Sequence, residues 1–482
     1  MRKGRFLALA SAFSLVLAGP AWAQVKQGDL DLTFHSQVEV DFEVRSNYSF
    51  NENVNAINTR EDFFVEQENR FWLDAKAGPF ESRVMIETED FWDTAVAEGG
   101  IGVKAGEGTD LVNIEQAYGG YDFGWFKTRI GLQVFQLDPA EIVYIDDDFG
   151  VRFWQTYEWG GWNFFWVFNE EGTSTAAANP NRDRHYFMGN LDLKLAGWTV
   201  TPFVAYATAK DEPVLSGKSA TETLEVWWLG AGAKGSVAGI NVLAQFAYAT
   251  GDQDLRAPLV NAGQNNLDIS AWAGMLSLAY PIPATPITIE AAGVWMSGDD
   301  DPTDADAEGY QGIFQDTELL NPQGIWIDDE IVIAPQRAGL PQSCRAAACA
   351  GTFAITTDDD FSPNGADFNF DAQGVTSVFA AANPVNPGNF GLQYYHAGLH
   401  YKATSNVTVS AMFAYILAME DGLLGGDSHI GNEYTVQAVW TPHKYFRVTP
   451  TLSWLVPGDA IENLVGDDAT AFNFTLETMF LF

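Results

Sequence analysis

The chain has 482 residues, with 64 Asp+Glu against 25 Lys+Arg and a formal net charge of −39. So acidic a chain has no electrostatic hold on nucleic acid, and no basic patch offers one. Its 34 Phe, 16 Trp and 16 Tyr are heavy for an acidic soluble protein, whose surface would have to hide those rings.

The first 23 residues, 1–23, read as a secretory signal peptide. Arg2, Lys3 and Arg5 form a positive start, Phe6 to Ala18 an apolar stretch, and Ala21-Trp22-Ala23 a small-residue cleavage site before Gln24. A membrane anchor fits less well, because the apolar run is shorter than the ~20 residues a spanning helix needs. Cleavage leaves 22 Lys+Arg against 64 Asp+Glu, a formal charge of −42 over 24–482. No later apolar run is long enough for a spanning helix. In lipid only helices and closed barrels satisfy their backbone hydrogen bonds, so a membrane role means a barrel.

From 29–49 onward the period is two. Leu30, Leu32, Phe34, Val38, Val40, Phe42 and Val44 share one face, and Asp29, Asp31, His35, Glu39, Asp41, Glu43 and Arg45 the other. In 62–77, Val65, Phe71 and Leu73 oppose Glu66, Glu68, Arg70 and Asp74; in 80–92, Phe80, Val84 and Ile86 oppose Glu81, Arg83, Glu87 and Glu89. The pattern continues through 110–123, 125–137, 148–159, 162–169, 185–196, 198–208, 222–237, 239–250, 267–281 and 285–298. It resumes at 390–403, 405–418, 429–441, 444–456 and 471–482, eighteen segments in all. Such strands suit an all-β fold in which the apolar face meets lipid and the charged face a watery lumen.

The connections sharpen that reading. Tight turns follow even-numbered segments, at Gly78-Pro79, Gly160-Gly161, Ala196-Gly197, Pro281 to Pro286 and Pro442 to Lys444. Longer polar loops such as 51–61, 93–109, 209–221 and 251–266 follow odd-numbered ones. Short turns on one rim and long loops on the other predict a transmembrane antiparallel up-and-down β-barrel of about 18 strands, with periplasmic turns and extracellular loops. The last segment puts Phe472, Phe474, Leu476, Phe480 and Phe482 on one face. An aromatic at Phe482 is the kind of signal the barrel assembly machinery of the outer membrane reads. Trp72, Trp125, Trp159, Trp162, Trp198 and Tyr280 crowd strand ends, as interfacial girdles require.

The loop 299–389, between the thirteenth and fourteenth strands, breaks the rhythm and is too long for an ordinary connection. Between Gly298 and Ala372 it holds 16 acidic residues and two basic ones, Arg337 and Arg345. Asp304, Asp306, Glu308 and Gly309 match the first half of a calcium loop, although Gln315 stands where the bidentate glutamate would be. Asp358 to Asp360, Asn364, Asp367, Asn369 and Asp371 make a second oxygen-rich cluster. Ca2+ is thus the one ion this loop suggests, against the plainer reading of a solvated acidic surface. Cys344 and Cys349 enter an oxidising compartment and suit a small disulfide loop.

No hydrolase, zinc-protease or nucleotide-binding signature occurs, so no enzyme is expected. His396 and His400 share a strand face but stand ~13 Å apart, too far to chelate one metal. Ser428 and His429 would point to opposite faces.

Several stretches resemble the alginate-export family of outer-membrane porins, and they occur in that family's order. They are Ile114 to Tyr118, Thr128 to Phe135, Ala247 to Asp252, Ser297 to Asp301, Ile430 to Tyr434, and Val456 to Asp459. The resemblance implies an 18-stranded porin in the outer membrane of a Gram-negative cell. Alternation turns Arg129, Gln133, Glu87 and Glu433 toward the lumen, and Glu115 is named with them as a residue to meet a solute. The chain departs from the family at Leu132, where a second arginine is common, and its acidity argues against a polyanion such as alginate. The expected function is passage of small polar solutes with a preference for cations. The alternative is a barrel plugged by its long loop, serving as a surface scaffold.

Overall fold

The computed structural model describes residues 25–46, 62–91, 113–169, 184–210, 221–255, 266–300, 306–310, 312–313, 332–335, 353–356, 391–421, 426–465 and 468–482. The segment 1–23, expected to be a signal peptide, and the cysteines lie outside them. In chain order the first elements are β1 (Val25–Gln27), β2 (Leu30–Ser46), β3 (Asp62–Ala77), β4 (Phe80–Phe91), β5 (Asn113–Asp122), β6 (Lys127–Gln136) and β7 (Ile145–Tyr157). Next come β8 (Gly160–Asn169), β9 (Arg184–Leu195), β10 (Trp198–Lys210), β11 (Thr221–Val237), β12 (Ile240–Leu255), β13 (Asn266–Pro281) and β14 (Ile287–Met296). The long loop holds β15 (Asp306–Ala307), β16 (Val332–Pro335) and β17 (Phe353–Thr356). The chain finishes with β18 (Leu392–Thr404), β19 (Val407–Leu417), β20 (His429–His443), β21 (Phe446–Pro457), the short helix α1 (Asp459–Val465) and β22 (Ala471–Leu481).

Each strand from β2 to β14 pairs antiparallel with the next, β14 pairs with β18, and β18 to β22 pair in order. The circle closes where β22 lies against β2, from Gln37↔Leu481 to Ser46↔Phe472. Phe482 extends that seam, since its N–H donates to the Ser36 carbonyl at 2.7 Å and its carbonyl accepts from Ser36 N–H at 2.9 Å. The result is a closed 18-stranded antiparallel barrel with no free edge. Tight turns join it on one rim. Ala196 (φ 51°) and Gly197 (φ 88°) form a two-residue hairpin turn with positive φ at both centres, the geometry that matches strand twist and that glycine adopts without strain.

The sequence's alternation decides what faces where. Phe71, Phe80, Ile114, Ile130, Phe149 and Phe246 point outward and are exposed, a belt of apolar side chains that water would not tolerate and lipid does. Trp125 and Trp159, 72% and 50% exposed, sit beside the short-turn rim as an aromatic girdle. The inner face is divided. Along β2 to β7 it is charged, whereas along β10 to β14 it carries buried Ala205, Ala207, Val226, Trp228, Ala247, Ala249, Ala271 and Ala273. An apolar lumen wall needs a cover.

Candidate functional site

The described cover is the connection between β6 and β7, eight residues that read Leu-Asp-Pro-Ala-Glu-Ile-Val-Tyr. Leu137 N–H donates to the Tyr144 carbonyl at 3.0 Å, which closes the segment into a compact loop. Asp138 organises its interior. Its carboxylate accepts from the backbone N–H groups of Ile142 (3.0 Å), Val143 (3.1 Å) and Tyr144 (3.1 Å). A fourth bond comes from the amide of Gln245, which crosses from β12. Gln245 answers twice, since its oxygen accepts from Ala140 N–H at 3.0 Å. Burial pushes the Asp138 carboxyl above its ordinary value, while the Gln245 amide and the three backbone donors pull it back down. Burial likewise drives the Tyr144 hydroxyl well above its usual range; that hydroxyl donates to Asp148.

The loop therefore lies across the lumen against the apolar wall. Leu137, Ile142, Val143 and Tyr144 are fully buried in one cluster with Phe165, Tyr186, Phe203 and Trp228. Each large apolar side chain so covered is worth about 1.5–3 kcal/mol. Pro139 rests directly on Gly232 of β11, where a Cβ would stand 2.2 Å from its Cγ. Only a glycine lets the loop come this close. Gly232→Ala is thus expected to lift Pro139 from the wall and destabilise the docked loop by about 1–3 kcal/mol. Faster hydrogen exchange in residues 140–144 checks this; unchanged exchange would count against it. From the long loop, Tyr310 Oη donates to the Ile142 carbonyl at 2.9 Å and Ile313 N–H to the Val143 carbonyl at 2.7 Å, so a second layer clamps the first.

Opposite lies the charged wall. Arg70 of β3 holds Glu68 and Glu87 at 2.9 and 2.6 Å through Nε, and reaches Glu115 at 3.6 Å through Nη2. Glu115 arrives there because the β4–β5 register slips between Met85 and Ile86, a bulge that re-aims it inward. Arg83 is bidentate on Asp74, at 2.7 and 3.0 Å. Arg129 pairs with Glu81 at 2.5 Å and lies over the rings of Tyr118 and Trp154. Arg152, directly across from Arg129, bonds Asn163 at 2.7 Å. Asn163 then donates to Asn190 (2.8 Å), and Asn190 to the Leu137 carbonyl (2.6 Å). That chain ties the charged wall to the loop. The arrangement offers a passing solute paired charges of both signs on one side and a fixed apolar ridge on the other.

The expected lumen residues divide accordingly. Arg129, Glu87 and Glu115 stand on the charged wall together. Gln133 and Glu433 also face inward, but they are 1% and 0% exposed and so cannot meet a solute as they stand. Of the calcium-like pattern, Asp306 and Glu308 are among the described residues. Asp306 sits in a parallel bridge opposite Asp268. The carboxylates that gather, within 4.8 Å of one another, are Asp299, Asp300 and Glu308. Ser297 causes this, since its Oγ donates to the Glu308 carbonyl at 2.6 Å and its carbonyl accepts from Tyr310 N–H, folding the loop back on its own start. Among the described residues this is the group that could hold a metal ion. Asp304, Asp367, Asn369, Asp371, Cys344 and Cys349 lie outside the described residues.

Nothing in the sequence had singled out Asp138, Gln245 or Tyr310. The only local signal was an Asp-Pro turn followed by Ile-Val-Tyr in a loop too short to need apolar residues.

No family model matches the chain, and no curated protein matches its sequence. Solved structures do match in fold. OccAB1 of Acinetobacter baumannii aligns at a TM-score of 0.51 and 9% identity, over 93% of this chain and 96% of that one. OccK5 (OpdH) of Pseudomonas aeruginosa aligns at 0.48 and 10%, over 93% and 97%. The outer membrane channel DcaP of Acinetobacter baumannii aligns at 0.44 and 11%, over 95% and 100%. With its closed circle of strands and apolar exterior, the chain is a multi-pass outer-membrane β-barrel with a porin's fold.

Proposed function

We propose that the barrel is a porin for small polar solutes and that it prefers cations. The observation that carries this reading is the charged wall of β2 to β7 facing the inward-docked loop 137–144, a narrowed passage with titratable side chains on one side. An 18-stranded barrel is wide enough to leave an aqueous lumen around such a ridge. Cation preference follows from the excess of acids over bases and from Asp299, Asp300 and Glu308 beside the long-loop rim. Single-sign charge at a narrow entrance gathers counter-ions and repels co-ions. The short stretches that resemble alginate-export porins support the same class, while the acidity speaks against alginate as cargo.

A planar bilayer tests this. Steady open current with a reversal potential on the cation side of a salt gradient is the expected result, and anion preference would overturn the selectivity. Silence would favour the second reading, a plugged scaffold, which the burial of Glu433, Thr435, Ser453 and Asn473 on the inner face of β20 to β22 supports.

A further inference from the structure

The register of β14 against β18 sets Glu290 opposite Gly398. With no side chain there, the Glu290 carboxylate lies flat across β18; a Cβ on Gly398 would meet its Oε1 at 2.7 Å. His396 and His400 flank that glycine on the same inner face, and both rings turn toward the carboxylate. His400 Nε2 stands 3.0 Å from Oε2, and His396 Nε2 stands 3.5 Å from Oε1. The other ring nitrogen of His400 shares a hydrogen with Ser410 Oγ at 2.8 Å. Two histidines too far apart to act together along their own strand are thus joined through a glutamate on the next.

A register-fixing ion pair would need only one of them. The His396 side chain is 2% exposed, and neither of its ring nitrogens has a hydrogen-bond partner. Leaving a buried polar group unmade costs about 1–3 kcal/mol, so the second ring is a poor choice for stability alone. Glu290 and His400 keep 23% and 27% of their side-chain surface, which leaves the group open to protons from the lumen.

We propose that Glu290, His396 and His400 form a proton-titrated charge site in the lumen wall, and that it sets how the pore's ion preference changes with pH. This rests on the channel reading above. With both rings neutral the site carries one negative charge; with both protonated it carries one positive charge. Imidazoles make that change between about pH 5 and 8. The rings share one carboxylate, so their protons come off as a coupled pair. Beside them on β18 are Tyr394, its ring centroid 6.4 Å from that of His396, and Lys402, two residues beyond His400. Tyr415 of β19 and Tyr280 of β13 lie on the outer face, and Asp268 of β13 sits opposite Asp306 at the long-loop rim.

The test is reversal potential in a KCl gradient at about pH 8 and about pH 5.5, on the purified barrel. The cation-over-anion permeability ratio should fall by about twofold or more on acidification. His396→Gln with His400→Gln should abolish most of that fall, and an undiminished fall in a conducting double variant would overturn the proposal. Should the double variant not fold, His400→Gln alone makes the same comparison with about half the effect. If the barrel passes no current, the channel reading fails and the site is read directly by histidine-selective NMR in detergent. His396 and His400 should then titrate in coupled steps, with Glu290→Gln displacing the His400 midpoint; an unmoved midpoint would overturn the site itself.

Discussion

Asp138→Ala is expected to free residues 137–144 from the barrel wall and to raise single-channel conductance. The substitution leaves the N–H groups of Ile142, Val143 and Tyr144 without their acceptor, and the Gln245 amide without its partner. A buried donor left unmade costs about 1–3 kcal/mol, and three in one loop sum to roughly 3 kcal/mol or more. That shifts the docked-to-free balance by about a hundredfold. Hydrogen exchange at residues 142–144 should accelerate accordingly, and current should become larger and noisier. Asp138→Asn keeps the shape and one strong acceptor, so it should fall between the parent and the alanine variant. Parental exchange and parental conductance in Asp138→Ala would remove this residue as the loop's organiser.

The second large effect concerns Arg70. Its guanidinium is the shared counter-charge of Glu68, Glu87 and Glu115, at 2.9, 2.6 and 3.6 Å. Arg70→Met leaves three carboxylates together with nothing to offset them. Cation preference should rise severalfold, because the wall gains a net negative step where the docked loop narrows the passage. Stability should fall as well. Breaking a fully buried pair costs 3–5 kcal/mol, but the Arg70 side chain is 32% exposed and solvent screens part of that, so about 1–3 kcal/mol is expected. Adding Glu87→Gln and Glu115→Gln to the variant should bring selectivity back toward the parent. Unchanged reversal potentials across this series would show that the charged wall does not filter ions.

Much of the fold was legible because side-chain alternation is a local property. The segment expected at 80–92 is Phe80–Phe91, and that expected at 62–77 is Asp62–Ala77. The 148–159 segment starts earlier, at Ile145, because Asp146 and Asp147 pair with Phe135 and Val134. The site was far less legible. Asp138 matters through Gln245, which lies 107 positions away, and no periodicity announces such a pair. The calcium-like spacing groups Asp304, Asp306 and Glu308 by sequence distance, and no spacing announces that Ser297 folds the chain so that Asp299 and Asp300 also reach Glu308. His396 and His400 looked independent because the residue that joins them belongs to another strand, and register between strands is set by turns and long-range pairing.

The seam between β2 and β22 has its own consequence for how the molecule is made. Thr478 Oγ1 donates to the Val40 carbonyl across 438 positions of chain, and ten residue pairs line the joint from end to end. The first long strand therefore waits with an open row of donors and acceptors until the last one arrives. Loop-closure entropy of that order makes the final step slow. A chain ending before Ala471 would not settle for a smaller circle. It would be an open sheet with two bare edges and apolar Val38, Val40 and Phe42 along one of them, a template for joining its neighbours edge to edge into aggregates.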